Sequence, residues 1–85
     1  MVMQLLIVTP TKTIFDHPVA SVSLPGLEGV FQVLPGHAPL VSQLKAGQVL
    51  VKREASQQSF KIAGGFAEVN KNSVRVLTTV MPSMG

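Results

Sequence analysis

Hydrophobic and polar residues alternate over short stretches of this chain, a period of two that is typical of half-buried β-strands. In residues 19–24, Val22 and Leu24 fall on one face of the predicted strand, while Ser21 and Ser23 fall on the other. Alternation or a run of branched aliphatic residues predicts further strands at 2–9, 13–15, 30–34, 48–53, 59–63, 66–69 and 73–79. Residues 40–44 fit either a short strand or a single helical turn, and no segment has the period of a long helix. We therefore predict an all-β domain.

Prolines, glycines and short polar segments separate the predicted strands. They predict turns, loops or bends at residues 16–18, 25–26, 35–39, 55–58, 64–65 and 70–72. Such signals, recurring every 8–12 residues, are typical of a β-sandwich or a β-barrel. We place one domain at residues 1–80 and a loose tail at residues 81–85.

The phase of the alternation predicts which side chains form the core. The residues expected to point inward are Val22, Leu24, Val49, Val51, Phe60, Ile62, Val74 and Val76. Arg75 and Leu77 fall on the opposite face of the last strand. The four phenylalanines Phe15, Phe31, Phe60 and Phe66 lie in apolar strands, and we interpret them as core residues.

The chain carries few charges for its size. Of its 85 residues 46% are hydrophobic and 13% are charged, against a usual charged share of about 25%. A chain with so few charges must expose apolar surface, which often marks a partner site. The net charge of +3 leaves open a basic β-barrel that binds nucleic acid, but the absence of Tyr and Trp removes the usual stacking residues.

Catalytic and ligand-binding motifs are missing from the sequence. There is no cysteine, and His17 and His37 are too far apart in the chain to form a metal-ligand motif. Gly64-Gly65 is not followed by the Gly-Lys-Ser or Gly-Lys-Thr of a phosphate loop. A small enzyme would need a carboxylate pair assembled by the fold from Asp16, Glu28, Glu54 and Glu68. We expect no catalytic residue, no cofactor and no metal site.

The sequence also lacks obvious membrane and export signals. Its longest early apolar run, residues 5–8, is far shorter than the roughly 20 residues that a membrane-spanning helix needs. A signal peptide is not indicated either, because the first residues carry no positively charged side chain and no small-residue cleavage site follows an apolar stretch. We expect the chain in the cytoplasm or in the equivalent compartment of an organelle.

Several motifs, in a fixed order, cover most of the chain. They are PGLEGVF at 25–31, VLPGHAPL at 33–40, LKAGQV at 44–49, IAGGFAEV at 62–69 and VRVL at 74–77. Together they closely resemble the epsilon subunit of rotary ATP synthases, called delta in mitochondria. The chain departs from the family's usual residues at Gln32, where glycine is usual, at Ala46, where proline is common, and at Thr78-Thr79.

The resemblance implies a flattened β-sandwich of about ten strands in two sheets. It implies a non-catalytic subunit in the central stalk of a proton-translocating ATP synthase, which binds the foot of the gamma subunit and the ring of c subunits and couples rotation to ATP synthesis. By resemblance, Thr9, His37 and Ser42 contact gamma, and Glu28, Gly29 and Val30, which we expect to form a turn between strands, contact the c-ring. The chain would then lie at the cytoplasmic face of the bacterial inner membrane, or its organellar equivalent, held there only through the complex.

Many members of this family also carry a C-terminal helical hairpin. The resemblance assigns inhibition of ATP hydrolysis, and ATP binding where it occurs, to that hairpin. Residues 81–85 show no trace of it, so we expect the hairpin to be absent and expect neither property from this sequence.

Overall fold

The computed structural model of the chain describes residues 1–78, which form nine β-strands. The strands are β1 (Met3–Val8), β2 (Thr13–Val19), β3 (Ser21–Gly26), β4 (Gly29–Val33), β5 (Leu40–Leu44), β6 (Gly47–Lys52), β7 (Gln57–Ile62), β8 (Gly65–Val69) and β9 (Ser73–Thr78). Within this range, no helix is long and apolar enough to cross a membrane. The predicted tail at 81–85 lies outside the described residues.

The nine strands form one sheet that folds over on itself. Its order is β2-β1-β9-β8-β5-β3-β6-β7, and β4 pairs with β3. Strands β5 and β3 share a single pair, Gly26 with Leu44, which divides the sheet into sheet I (β2, β1, β9, β8, β5) and sheet II (β4, β3, β6, β7). At the far ends, the rings of Phe15 in β2 and Phe60 in β7 pack edge to face with centroids 5.4 Å apart. The predicted flattened β-sandwich is confirmed, with nine strands among the described residues.

The core lies between the two sheets, and the predicted alternation is largely confirmed. Seven of the eight residues predicted to point inward are buried, and the core also includes Leu5 and Ile7 of β1. Phe60 is the exception, because it is only partly buried and packs against the core from the edge strand β7. The face of each of these strands that points inward is therefore the one that the alternation predicts.

The structure corrects the position of several predicted turns: residues 57–58, expected in a turn, already belong to β7, and the segments 16–18 and 25–26 lie in strands. The segment 16–18 does not end a strand, because β2 continues through Pro18 to Val19. Strand β2 is at the edge of the sheet, where a proline can occur without removing a ladder hydrogen bond. Pro25 likewise lies within β3, and its carbonyl accepts a hydrogen bond from the Lys45 N–H at 2.9 Å. The turn follows at Leu27 and Glu28.

Two uncertain segments of the sequence have ordinary strand conformations. Residues 40–44 form the strand β5 and not a helical turn. Gln32 lies in β4, and within residues 1–78 only glycines have a positive φ. The glycine that is usual in the family at that position is therefore not required by the backbone here.

Truncation of Phe60 to alanine is expected to cost about 2 kcal/mol of unfolding free energy. A fully buried phenylalanine would cost roughly 3–5 kcal/mol, but the ring of Phe60 is partly exposed and its main aromatic partner is Phe15. Urea denaturation would measure the loss. A loss above 4 kcal/mol would mean that the edge of β7 is more enclosed than the structure shows.

Candidate functional site

The outward side of sheet I carries exposed apolar side chains in register. One row across the strands places Val8 beside Leu77, Leu77 beside Phe66, and Phe66 beside Gln43. Phe66 and Leu77 are 52% and 49% exposed, and Val41 in the next row is 72% exposed. We call this surface the outer face; its residues are Leu6, Val8, Val41, Gln43, Phe66, Glu68, Arg75 and Leu77.

A charged row crosses the outer face next to the apolar row. Arg75 lies opposite Glu68, with an Nη1 to Oε1 distance of 3.4 Å. Leu6 flanks this pair on β1 and Val41 flanks it on β5. Beyond Leu6 the row ends at Asp16, whose carboxylate accepts a hydrogen bond from Gln4 Nε2 at 2.7 Å. The outer face thus combines apolar surface with a defined arrangement of charge.

The outward side of sheet II is more polar. Its central row contains Gln32, Ser23, Leu50 and Ser59. Leu50 is partly buried there, and its neighbours in the row are polar. The exposed apolar surface that the low charge content predicted therefore lies in two places: Val41, Phe66 and Leu77 on sheet I, and Leu27, Val30 and Leu34 in and beside β4.

A groove of about 610 Å³ lies between β4 and β5. Among residues 1–78, strand β4 pairs with β3 alone, so its other edge borders this groove. Five of the six residues predicted to contact partners line it, namely Glu28, Gly29, Val30, His37 and Ser42. The fold therefore brings together two sets of residues that the sequence assigned to different partners.

The predicted turn at residues 28–30 is smaller than expected. Only Glu28 lies in the turn, whereas Gly29 and Val30 already belong to β4. Gly26 pairs with Gly29 across a two-residue loop, which closes the hairpin immediately. The prediction that all three residues form a turn is wrong, but Glu28 and Val30 are exposed at the end of the hairpin, Val30 by 73%.

His37 is held in a loop that is tied to the rest of the sandwich. Its ring nitrogen Nδ1 lies 2.7 Å from the carbonyl oxygen of Ala38. The preceding residue, Gly36, donates its N–H to the carbonyl of Lys71 at 2.8 Å. The hydrogen bond of Gly36 therefore joins this loop to the loop between β8 and β9, and His37 lines the groove.

Ser42 and Thr9 occupy different surroundings. Ser42 pairs with the fully buried Ala67, on the inward side of β5, and is partly exposed at the groove. Thr9 follows β1 and is 9% exposed. Its hydroxyl accepts hydrogen bonds from the N–H groups of Thr11 at 3.3 Å and Lys12 at 3.1 Å, so it stabilises the loop that follows β1.

The side chains of the described residues bear on two kinds of site, a metal site and a protein-binding surface. Within residues 1–78, no group of three or more His, Asp and Glu side chains is placed to hold a metal ion. The outer face and the groove offer apolar contact, free strand edges and a few charges. This arrangement is suited to binding another protein.

The sequence interpretation missed the outer face. Phe66 was assigned to the core, which is wrong, since it is 52% exposed. The exposure of Phe66 could have been predicted from the pattern Ala67-Glu68-Val69. Ala67 and Val69 point inward, so Phe66 shares the outward side of β8 with Glu68.

Comparison with known proteins identifies relatives along nearly the whole chain. A family profile described as "ATP synthase, Delta/Epsilon chain, beta-sandwich domain" matches residues 2–82. The ATP synthase epsilon chain of Chlorobium limicola is 51% identical over 73 residues, which are 85% of this chain and 83% of the relative. That of Prochloron didemni is 42% identical over 77 residues, which are 91% of this chain and 57% of the relative.

A solved structure agrees with these relatives. A chain in the OSCP/F1/c-ring assembly of the Euglena gracilis mitochondrial ATP synthase matches with a TM-score of 0.87 at 32% identity. The match covers 93% of this chain and 51% of the Euglena chain. This chain thus spans most of the Chlorobium relative but only about half of the Prochloron and Euglena relatives.

Proposed function

The chain belongs to the delta/epsilon family of ATP synthase chains, and from that premise we propose that it joins the gamma subunit to the c-ring in the rotor of a proton-translocating ATP synthase. It is a non-catalytic member of the complex. Its work is mechanical: it helps to fix gamma to the ring, so that proton-driven rotation reaches the catalytic subunits. The observation that carries the proposal is the exposed apolar outer face of sheet I.

Gamma is the partner that we assign to the outer face. Phe66 and Leu77 would lose their exposed area to such a partner, and burial of apolar surface is the main driving force of lasting association. A stable interface buries about 800 Å² on each partner. To bury an area of this size, the proposed contact extends beyond the outward sides of β1, β9, β8 and β5.

The residues assigned to gamma by resemblance extend the outer face in two directions. Thr9 follows Val8 at one margin, where its hydroxyl holds the adjoining loop in place. His37 and Ser42 lie at the other margin, across β5 in the groove. We propose that gamma covers the surface from the loop after Thr9 to the groove at His37.

The hairpin between β3 and β4 is the contact that we assign to the c-ring. Glu28 and Val30 are exposed at its tip, and Gly29 lies between them. The ring's loops are expected to be polar, so charge-assisted hydrogen bonds to Glu28 would outweigh apolar packing. The chain would then reach the membrane only through the complex, at the cytoplasmic face of a bacterial inner membrane or its organellar equivalent.

The architecture suits a part that transmits torque. Cross-strand ladders join eight strands in one path, and loop hydrogen bonds such as Lys45 N–H to the Pro25 carbonyl connect the two sheets. We propose that this continuous hydrogen bonding makes the sandwich stiff enough to transmit torque. Rotation of the ring would therefore be passed to gamma with little internal deformation.

Two binding measurements test the proposal. The purified chain is expected to co-purify with gamma, and a Val30→Cys variant is expected to crosslink to a cysteine placed in the polar loop of the c subunit. A Gln57→Cys variant, at the far end of sheet II, is the control and should not crosslink. Crosslinks that form from residue 57 and not from residue 30 would reverse the proposed orientation, and no co-purification with gamma would overturn the assignment of the outer face.

A further inference from the structure

The ion pair on the outer face lies where gamma is proposed to bind. We propose that Arg75 and Glu68 set the orientation of the partner, and that the partner presents an acidic group against Arg75 and a basic group against Glu68. This inference rests on the proposed function, because it needs the outer face to be covered.

The hydrogen-bonding capacity of the pair is mostly unused within the chain. One contact of 3.4 Å joins the two side chains, which are 59% and 48% exposed. A guanidinium has five N–H donors and a carboxylate has two acceptor oxygens, so water serves most of them in the free chain. A partner that covers the pair removes this water, and the binding cost is high unless the partner supplies its own polar groups.

The ion pair between Arg75 and Glu68 contributes little to the stability of the fold. Exposed ion pairs contribute little to stability, and the packing of β9 comes from the buried neighbours Val74 and Val76. The pair is nevertheless surrounded by exposed or half-buried apolar residues, with Leu6 and Val41 in its own row. A polar pair within an apolar surface is better explained by recognition than by folding.

The order of charges can distinguish one orientation from its opposite. Across the row the chain presents Asp16, then Leu6, then Arg75, then Glu68 and finally Val41. Apolar contact is non-directional, so the apolar row alone would tolerate a rotated partner. A partner turned by 180° about the normal of the face would place its acidic group against Glu68 and its basic group against Arg75. Such like-charge contacts disfavour wrong alignments.

A charge-swapped variant, Glu68→Arg with Arg75→Glu, tests the inference. It keeps the ion pair, the net charge and the exposure of the chain but inverts the direction of the row. We expect thermal unfolding at the wild-type temperature and at least a tenfold weaker affinity for purified gamma. Lys61→Glu, on the outward side of sheet II opposite Gln48, is the control and should bind like the wild type.

The outcomes separate this inference from the proposed function. If the swapped variant binds gamma as tightly as the wild type while Phe66→Asp does not bind, the outer face stands and the orienting role of the pair is overturned. If the wild type itself fails to bind gamma, both ideas are overturned. Should the swapped chain melt early, the neutral pair Glu68→Gln with Arg75→Gln replaces it, and unchanged affinity of that variant would equally refute the inference.

Discussion

Replacing Phe66 with aspartate is expected to abolish binding of gamma while the chain stays folded. The ring lies in the middle of the apolar row, between Leu77 and Gln43, and is 52% exposed. Aromatic side chains at the centre of an interface contribute a large share of its binding energy. An aspartate at this position would be buried by gamma with no ion-pair or hydrogen-bond partner for its carboxylate. We expect the dissociation constant to rise at least ~100-fold, equivalent to ~2.7 kcal/mol.

The matched control is Ser59→Asp, which adds the same charge to the outward side of sheet II. Ser59 is exposed and lies opposite Leu50, away from the outer face. Titration of labelled gamma with each variant, beside thermal unfolding of each, separates a lost contact from a lost fold. Equal weakening by both variants would indicate a general effect of charge, and unchanged binding by Phe66→Asp would place gamma elsewhere.

The core could be predicted from the sequence because its signal is local. Inward and outward residues alternate within each strand. The shared face of Val22 and Leu24, or of Val74 and Val76, can therefore be predicted without knowing which strands lie beside them. The positions of the turns were harder to predict. Whether a proline ends a strand depends on the pairing at its position, which the topology sets: Pro18 lies in the edge strand β2, and Pro25 lies near the end of the central strand β3, opposite Val30.

The outer face could not be read from the sequence, because it depends on pairing between distant strands. Val8 meets Leu77 only because β1 pairs in parallel with β9, near the other end of the chain. Phe66 is aromatic and lies in an apolar strand, which favours burial, whereas its phase with Glu68 on β8 indicates the exposed side. The groove lies between the consecutive strands β4 and β5, which do not pair with each other, and Val30 and His37 both line it.

The family, by contrast, was recognisable from motifs alone. The glycines and prolines at 25–40 and 62–69 mark places where the backbone has special requirements. The profile match over residues 2–82 confirms that resemblance. The contacts of Thr9, His37, Ser42 and the β3–β4 hairpin stay predictions until binding is measured.

Replacing Gly65 with alanine is expected to unfold most of the chain at physiological temperature. Gly65 has a φ of +142°, a backbone conformation that side chains with a Cβ rarely adopt. An added Cβ would also overlap the carbonyl oxygen of Leu77 on the paired strand β9. A rotamer change cannot relieve this overlap, because both groups are fixed to the backbone. We expect a loss of at least ~4 kcal/mol, most of the stability of a domain of this size.

Gly29→Ala separates the two causes of that loss. Gly29 has a similar φ of +133°, but the space around its would-be Cβ is empty to 4 Å. The Gly29→Ala substitution should therefore lower the unfolding free energy only by the backbone strain, roughly 1–3 kcal/mol, and leave the chain folded. Urea midpoints of the two variants measure the difference, and similar midpoints would mean that β8 can move away from β9 at little cost. Such movement would also displace Phe66 and Leu77, so a Gly65→Ala chain that remained folded should still bind gamma poorly.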